Sequence, residues 1–306
     1  MSLYRDQAIV LRTQKLGEAD RIITLFTKNH GRIKAVAKGV RRTKSRFGAR
    51  LEPASYVDLQ LYTGRTFDTI TQVVSIENYG DVLSSDYQSW TVASAILEAA
   101  ERFTQAEHEP ALQQFLLVSG SLKVLAEKKY DASLILDAYL LRSLSVAGYA
   151  PSLTICSRCD APGPHKFFSL QGGGSVCADC KPSASATPSQ ATLDLMSDLL
   201  TGNWESAMSS EARNRGEASG LIAHGDFIQN KVRKASVTFN LQKGLRNLWD
   251  GSILCVNMPT FPIPPIQLPF SPHLNHSKNL KSQRGITLEI QRHEFLGILK
   301  DEFPSC

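Results

Sequence analysis

The chain has 306 residues, an apolar share of 42%, a charged share of 21% and a formal net charge of +5. That length holds two or three small domains with their own cores, and the composition is that of a globular chain, not a disordered or collagenous one. No run of about eighteen apolar residues occurs, and the N-terminus MSLYRDQ carries Arg5 and Asp6 in place of an apolar stretch, so neither a membrane-spanning helix nor a secretory signal is expected.

Segments 7–15 (QAIVLRTQK) and 21–28 (RIITLFTK) are rich in β-branched side chains and flank LGEAD, a turn-forming stretch. Asn29-His30-Gly31 forms the next hairpin turn, leading into RIKAVA over 32–37. Residues 55–62, SYVDLQLY, alternate strictly, with Val57, Leu59 and Leu61 on one face and Tyr56, Asp58, Gln60 and Tyr62 on the other. Thr63-Gly64-Arg65 then turns the chain into 66–76, TFDTITQVVSI. Five short strands without a helical period predict a small closed barrel, because closure removes the sticky edges of the sheet. An OB-fold is the expected architecture, although an SH3-like barrel would give the same pattern.

Between the third and fourth strands lies AKGVRRTKSRFGARLEP. From 38 to 50 it carries Lys38, Arg41, Arg42, Lys44, Arg46 and Arg50 and no acid, where 34 basic residues in 306 would put between one and two in such a span. A loop of this kind repels itself unless an anion lies against it. Gly39 and Gly48 keep it pliable, and Phe47 is placed to stack on a base. With Arg32 and Lys34 on the preceding strand, these residues form the expected nucleic-acid contact set. The plain alternative is a solvated basic loop. Nothing in it reads base sequence, so contacts would fall on phosphates. Six of them imply a salt slope of roughly −5 on duplex DNA, at about −0.9 per phosphate.

From about 83 the period becomes helical. Trp90, Ala93, Leu97 and Ala100 share one face, with Ile96 and Phe103 beside them and Asp86 as N-cap. A second helix is expected from Glu109-Pro110, turning Leu112, Phe115, Leu116 and Leu122 inward. Asp131 caps a third, which runs to Gly148, a C-terminal glycine before Pro151. Arg102, Lys123, Lys128, Lys129 and Arg142 read as solvated faces.

The stretch 155–181 holds Cys156 and Cys159, then Cys177 and Cys180, two C-x-x-C pairs separated by seventeen residues. Each pair sets two thiolates on a tight knuckle, and the intervening hairpin brings the knuckles together. Four soft thiolates fill the tetrahedral shell of zinc and leave no open position, so a single structural Zn2+ is expected. Lys166, Phe167 and Phe168 read as a short strand, Gly172-Gly173-Gly174 as the second bend, and His165 as a hairpin residue outside the metal shell. Free thiols or two disulfides would suit a secreted chain better, and thiolate ligands here point to the cytoplasm. A zinc deaminase needs His- or Cys-x-Glu upstream and Pro directly before the second knuckle, where this chain has Val176. No G-x-x-x-x-G-K-[ST] phosphate loop occurs either, which agrees with action without ATP, and a closed four-sulfur shell with no nearby general base gives the expectation that the chain is not an enzyme.

The run LGEADRIITLFTKNHGRIKAVAKGVRRTKSRFGARLEP resembles the N-terminal barrel of the recombination protein O family, and LLRSLSVAGYAP before the first cysteine pair resembles its helical domain. The resemblance covers roughly residues 1–200. It implies an α+β chain: a five-stranded OB-fold barrel over 1–80, and a helical domain over 81–150 and 184–250 that carries a four-cysteine zinc finger over 151–183. It also implies binding of single- and double-stranded DNA, annealing of complementary strands, and loading of recombinase onto coated single strands. Recombination protein R and the acidic, apolar-ended tail of the single-strand binding protein are the implied partners. An RNA- or ribosome-associated OB protein with a zinc knuckle is the alternative that barrel, charge and cysteines fit equally well.

Beyond about Ala223 the resemblance falters. A last helix is expected over 241–248 (LQKGLRNL), the stretch GDFIQNKVRKASVTFN fits no pattern, and 251–306 is read as a poorly ordered extension with six prolines between Pro259 and Pro272.

Overall fold

In the computed structural model, residues 2–104 and 106–223 are described. Strands β1 (Leu3–Leu16), β2 (Asp20–Thr27), β3 (Gly31–Ala37), β4 (Ser55–Tyr62) and β5 (Asp68–Asn78) close in the order β1-β2-β3-β5-β4, and β4 pairs back onto β1. All neighbours are antiparallel except β3 and β5, which meet in parallel at Ala35–Asp68 and Val36–Thr69. This strand order is that of an OB-fold and decides against an SH3-like barrel. The register between β1 and β2 shifts between Val10 and Arg12, a bulge that bends the long first strand so it can serve two neighbours.

The alternation expected for 55–62 appears directly: Val57, Leu59 and Leu61 are buried, and Tyr56, Asp58 and Gln60 are less so. With Ala8, Val10, Ile23, Leu25, Ile33, Ala35 and Ile70 they fill the barrel. Val40, Phe47 and Leu51, from the basic loop, join the same core and stopper the barrel mouth.

A short helix α1 (Tyr79–Leu83) leads to α2 (Tyr87–Phe103), α3 (Leu112–Glu127) and α4 (Ala132–Val146). Asp86 caps α2 by accepting from the Ser89 N–H, and Asp131 caps α4 by accepting from Ser133 and Leu134. Helix α4 closes on Gly148 at φ +84°, with Gly148 N–H on Ser145 O and Tyr149 N–H on Leu144 O, a Schellman ending.

Helix α3 begins at Leu112, not at Pro110, and Leu112 is 47% exposed. The cause lies just upstream. Glu107 bridges to Arg32, the His108 N–H donates to Arg32 O and His108 turns at a left-handed φ of +62°, so this segment is tied to β3 in a non-helical conformation and the helix starts late. The inward face is therefore Phe115, Leu117, Val118, Leu122 and Leu125, with Leu116 only half-buried.

Helix α4 is buried from Leu134 through Leu144, packed among α2, α3, α5 (Gln190–Thr201) and α7 (Glu217–Ala223). Helix α6 (Trp204–Ser209) and a 3-10 turn over Glu211–Arg215 lie between the last two. Arg142 is not on a solvated face. It is 4% exposed, its Nε donates to Leu199 O at 2.9 Å, and its guanidinium lies 5.7 Å from the Trp204 ring centre.

The barrel and helices meet through Phe115, which sits edge-on to Phe26 and Tyr56. The last helix expected over 241–248, the intervening stretch and the proline-rich extension lie outside the described residues.

Candidate nucleic-acid interface and metal centre

The chain leaves β3 at Ala37 and turns at Gly39, whose φ of +71° lies in the left-handed region that favours glycine. The Asp20 carboxylate accepts the Gly39 N–H at 2.7 Å. The Arg41 N–H donates to Ala19 O at 2.9 Å, and its guanidinium donates to the carbonyls of Glu18 and Gly17. Farther along, Phe47 and Leu51 are each 1% exposed in the barrel core. Arg21 pairs with Glu52 at 2.5 Å, and the Ala54 N–H donates to Val10 O. The loop is therefore fastened at both ends and in the middle.

Its charges point the other way. Lys38, Arg41, Arg42, Lys44, Arg46 and Arg50 are all exposed. None of the six makes an ion pair among the described residues. Arg50 donates to the carbonyls of Arg46 and Phe47, and the Arg46 guanidinium lies 4.8 Å from the Phe47 ring centre. Apolar side chains inward and cations outward give a folded positive rim with exposed guanidinium and ammonium groups, suited to phosphate oxygens.

Three residues of the expected contact set sit elsewhere. Phe47 is inside the barrel, so its ring cannot stack on a base. Lys34 pairs with Glu107 at 2.7 Å, and Arg32 lies 3.8 Å from Glu107 and 4.0 Å from Glu101. The Lys34 ammonium holds the Glu107 carboxyl below its ordinary range. These two cations join the barrel to the helices. Sequence reading missed their acids because Glu101 and Glu107 come from segments about seventy residues away.

The metal centre is built on a hairpin. Strands β6 (Phe167–Ser169) and β7 (Gly174–Val176) pair antiparallel, close to the expected strand and bend. A side chain at Gly174 would run into the Ser152 backbone, so this glycine allows the close approach of the preceding loop. The Ser157 N–H on Ser175 O brings the first knuckle onto β7.

The four sulfurs of Cys156, Cys159, Cys177 and Cys180 lie within 4.8 Å of one another, with Cys159 and Cys177 at 3.7 Å. A tetrahedral ion with bonds of about 2.3 Å has ligand–ligand edges of about 3.8 Å, so the cluster has the size of such a shell. The Cys177 N–H, donating to the Cys156 sulfur, brings that thiol down to about 6. Hydrogen bonding to the Cys177 and Cys159 sulfurs pushes Cys180 up to about 12. Thiols packed this closely resist joint ionisation, and a soft divalent cation relieves that conflict. His165 turns its Nε2 to the Ala161 carbonyl at 2.9 Å, outside the sulfur cluster. The four cysteines fit a metal and could hold one.

Among the described residues no helix is long and apolar enough to cross a membrane. Two family descriptions match the chain: Recombination protein O N terminal over residues 1–79 and Recombination protein O C terminal over 84–235. The chain is 52% identical over 248 residues to the DNA repair protein RecO of Thermobifida fusca, covering 81% of this chain and 98% of that protein. It is 52% identical over 254 residues to the protein of the same name from Streptomyces avermitilis, and 51% to that from Streptomyces coelicolor, with the same coverage. With both halves matched in order and this degree of identity, the chain belongs to the recombination protein O family.

Proposed function

We propose that this chain is a non-catalytic DNA repair and recombination protein that binds single- and double-stranded DNA and anneals complementary strands. One observation carries the reading beyond family membership: six exposed cations stand on a folded loop at the barrel mouth, with no acidic partner among the described residues. Such a rim neutralises phosphates on two strands at once, so complementary bases meet without mutual repulsion and without nucleotide hydrolysis. With Phe47 buried, the loop offers no ring for base stacking, which favours sequence-independent contact with the backbone.

In this reading the four cysteines hold one Zn2+, which supplies a cross-link between knuckles and no open coordination position for a substrate. The residues that would hold it, Cys156, Cys159, Cys177 and Cys180, lie between α4 and α5, so the site braces the helical region. Loading of recombinase, with recombination protein R and the single-strand binding protein tail as partners in the cytoplasm or at the nucleoid, follows from the family resemblance.

The test is to measure binding of the full chain to single-stranded DNA, duplex DNA and structured RNA, with annealing of complementary oligonucleotides in the absence of nucleotide. Binding to both DNA forms and accelerated annealing are expected. Preference for RNA without annealing would favour the ribosome-associated alternative, and turnover of any of these substrates would contradict a non-catalytic role.

A further inference from the structure

Asp20 stands beside the cationic loop, and a carboxylate there should weaken the hold on an anion. Its position gives it a different task. The turn from Gly17 to Asp20 makes four hydrogen bonds to residues 39–41: Asp20 to the Gly39 N–H, Ala19 O to the Arg41 N–H, and the carbonyls of Gly17 and Glu18 to the Arg41 guanidinium. Val40, between the bonded residues, is 9% exposed and enters the barrel core. We propose that Asp20 is a positioning residue for DNA binding: by holding the Gly39 N–H, it locks the left-handed turn that keeps the cations outside the barrel in a fixed array. The loop is then a platform formed before DNA arrives, and binding does not have to order it. Arg41 belongs to the clamp as well as to the charged rim.

This inference rests on the DNA-binding reading above, and it makes a prediction of opposite sign to simple electrostatics. Removing a negative charge beside a phosphate site should tighten binding. Removing a positioning acceptor should loosen it. Asp20→Ala deletes both charge and acceptor, whereas Asp20→Asn deletes the charge and keeps an amide oxygen for the Gly39 N–H. Gly39→Ala leaves the charge untouched, and its added carbon has space, with Arg42 Cδ nearest at 3.5 Å, but it strains the left-handed φ.

The experiment compares the full-length protein with these three variants in two assays, single-stranded DNA affinity at fixed salt and limited trypsin digestion without DNA. Trypsin cuts after Lys and Arg, so the six loop cations report directly on whether the loop is held. Asp20→Ala and Gly39→Ala are expected to lose about threefold to tenfold in affinity, the range of one hydrogen bond, and to be cut sooner between 38 and 50. Asp20→Asn is expected to bind at least as tightly as the parent and to keep its protection. Tighter binding by Asp20→Ala with unchanged digestion would overturn the proposal. If Asp20→Ala does not fold, Gly39→Ala decides between the same outcomes. Absence of DNA binding by the parent would sink the DNA-binding reading, while the digestion pattern would still decide whether Asp20 holds the loop.

Discussion

Asp137 is 3% exposed inside α4, and its carboxylate accepts a hydrogen bond from the Ser219 hydroxyl on α7. Burial pushes its carboxyl up to about 7, against the effect of Ser219 and with a smaller push from Asp131. The folded chain thus keeps a proton that the unfolded chain releases above about pH 4. The stability this contributes is complete below that pH, falls as pH rises towards about 7, and changes no further beyond it. Thermal unfolding followed between pH 5 and 8 should show a midpoint that drops with rising pH. Asp137→Asn should flatten the drop, and an identical slope in the variant would remove Asp137 as its source. The same scale shows where sequence reading fails. Phe47 looked like a base-stacking ring because it sits among cations, yet it is a stopper in the barrel. Val40, Phe47 and Leu51, three large apolar residues in an otherwise polar loop, were the available signal that this loop has an inner face.

Elements were legible where a local signal dominates. β-Branched runs and turn residues located the five strands to within a few residues, and strict alternation marked only 55–62; β2, buried on both faces from Ile23 to Thr27, has no such alternation. Asp86, Asp131 and Gly148 marked helix ends through local hydrogen bonding, which needs no tertiary information. The start of α3 was misplaced because the contact between Glu107–His108 and Arg32 overrides the local preference at Pro110. Lys34 pairs with Glu107 of the same segment, which motivates a test of whether it also contacts DNA. Lys34→Ala should leave DNA affinity near the parent value, and a tenfold loss would return Lys34 to the DNA surface. Its partly exposed pair with Glu107 should cost only about 0.2–1 kcal/mol of stability when broken. The cysteine spacing was the most informative local signal, since two knuckles on a hairpin leave few arrangements for four sulfurs. Cys156→Ser, or a strong chelator, should lower the melting temperature by at least about 5 °C while affinity below the transition changes less than twofold. An unchanged melting temperature would mean that the site does not brace the helices.

At the scale of the whole molecule, one surface combines a rigid barrel with a dense set of charges, and the helical region is joined to that barrel by Phe115 and the pairs Lys34–Glu107 and Arg12–Glu101. Net charge alone, +5 over 306 residues, gave little sign of this. The clustering of six cations within 38–50 carried the information, and the fold shows that their side chains remain exposed. The most direct measurement is the slope of log affinity against log salt for duplex DNA, compared between the parent and Arg42→Glu with Lys44→Glu. Those two cations are exposed and make none of the loop's anchoring contacts. The parent should give a slope of several units, and the double variant should bind more weakly, with a slope shallower by about 1.8, at about 0.9 for each phosphate no longer neutralised. An unchanged slope and affinity in a folded double variant would contradict the assignment of this loop as the surface that grips DNA.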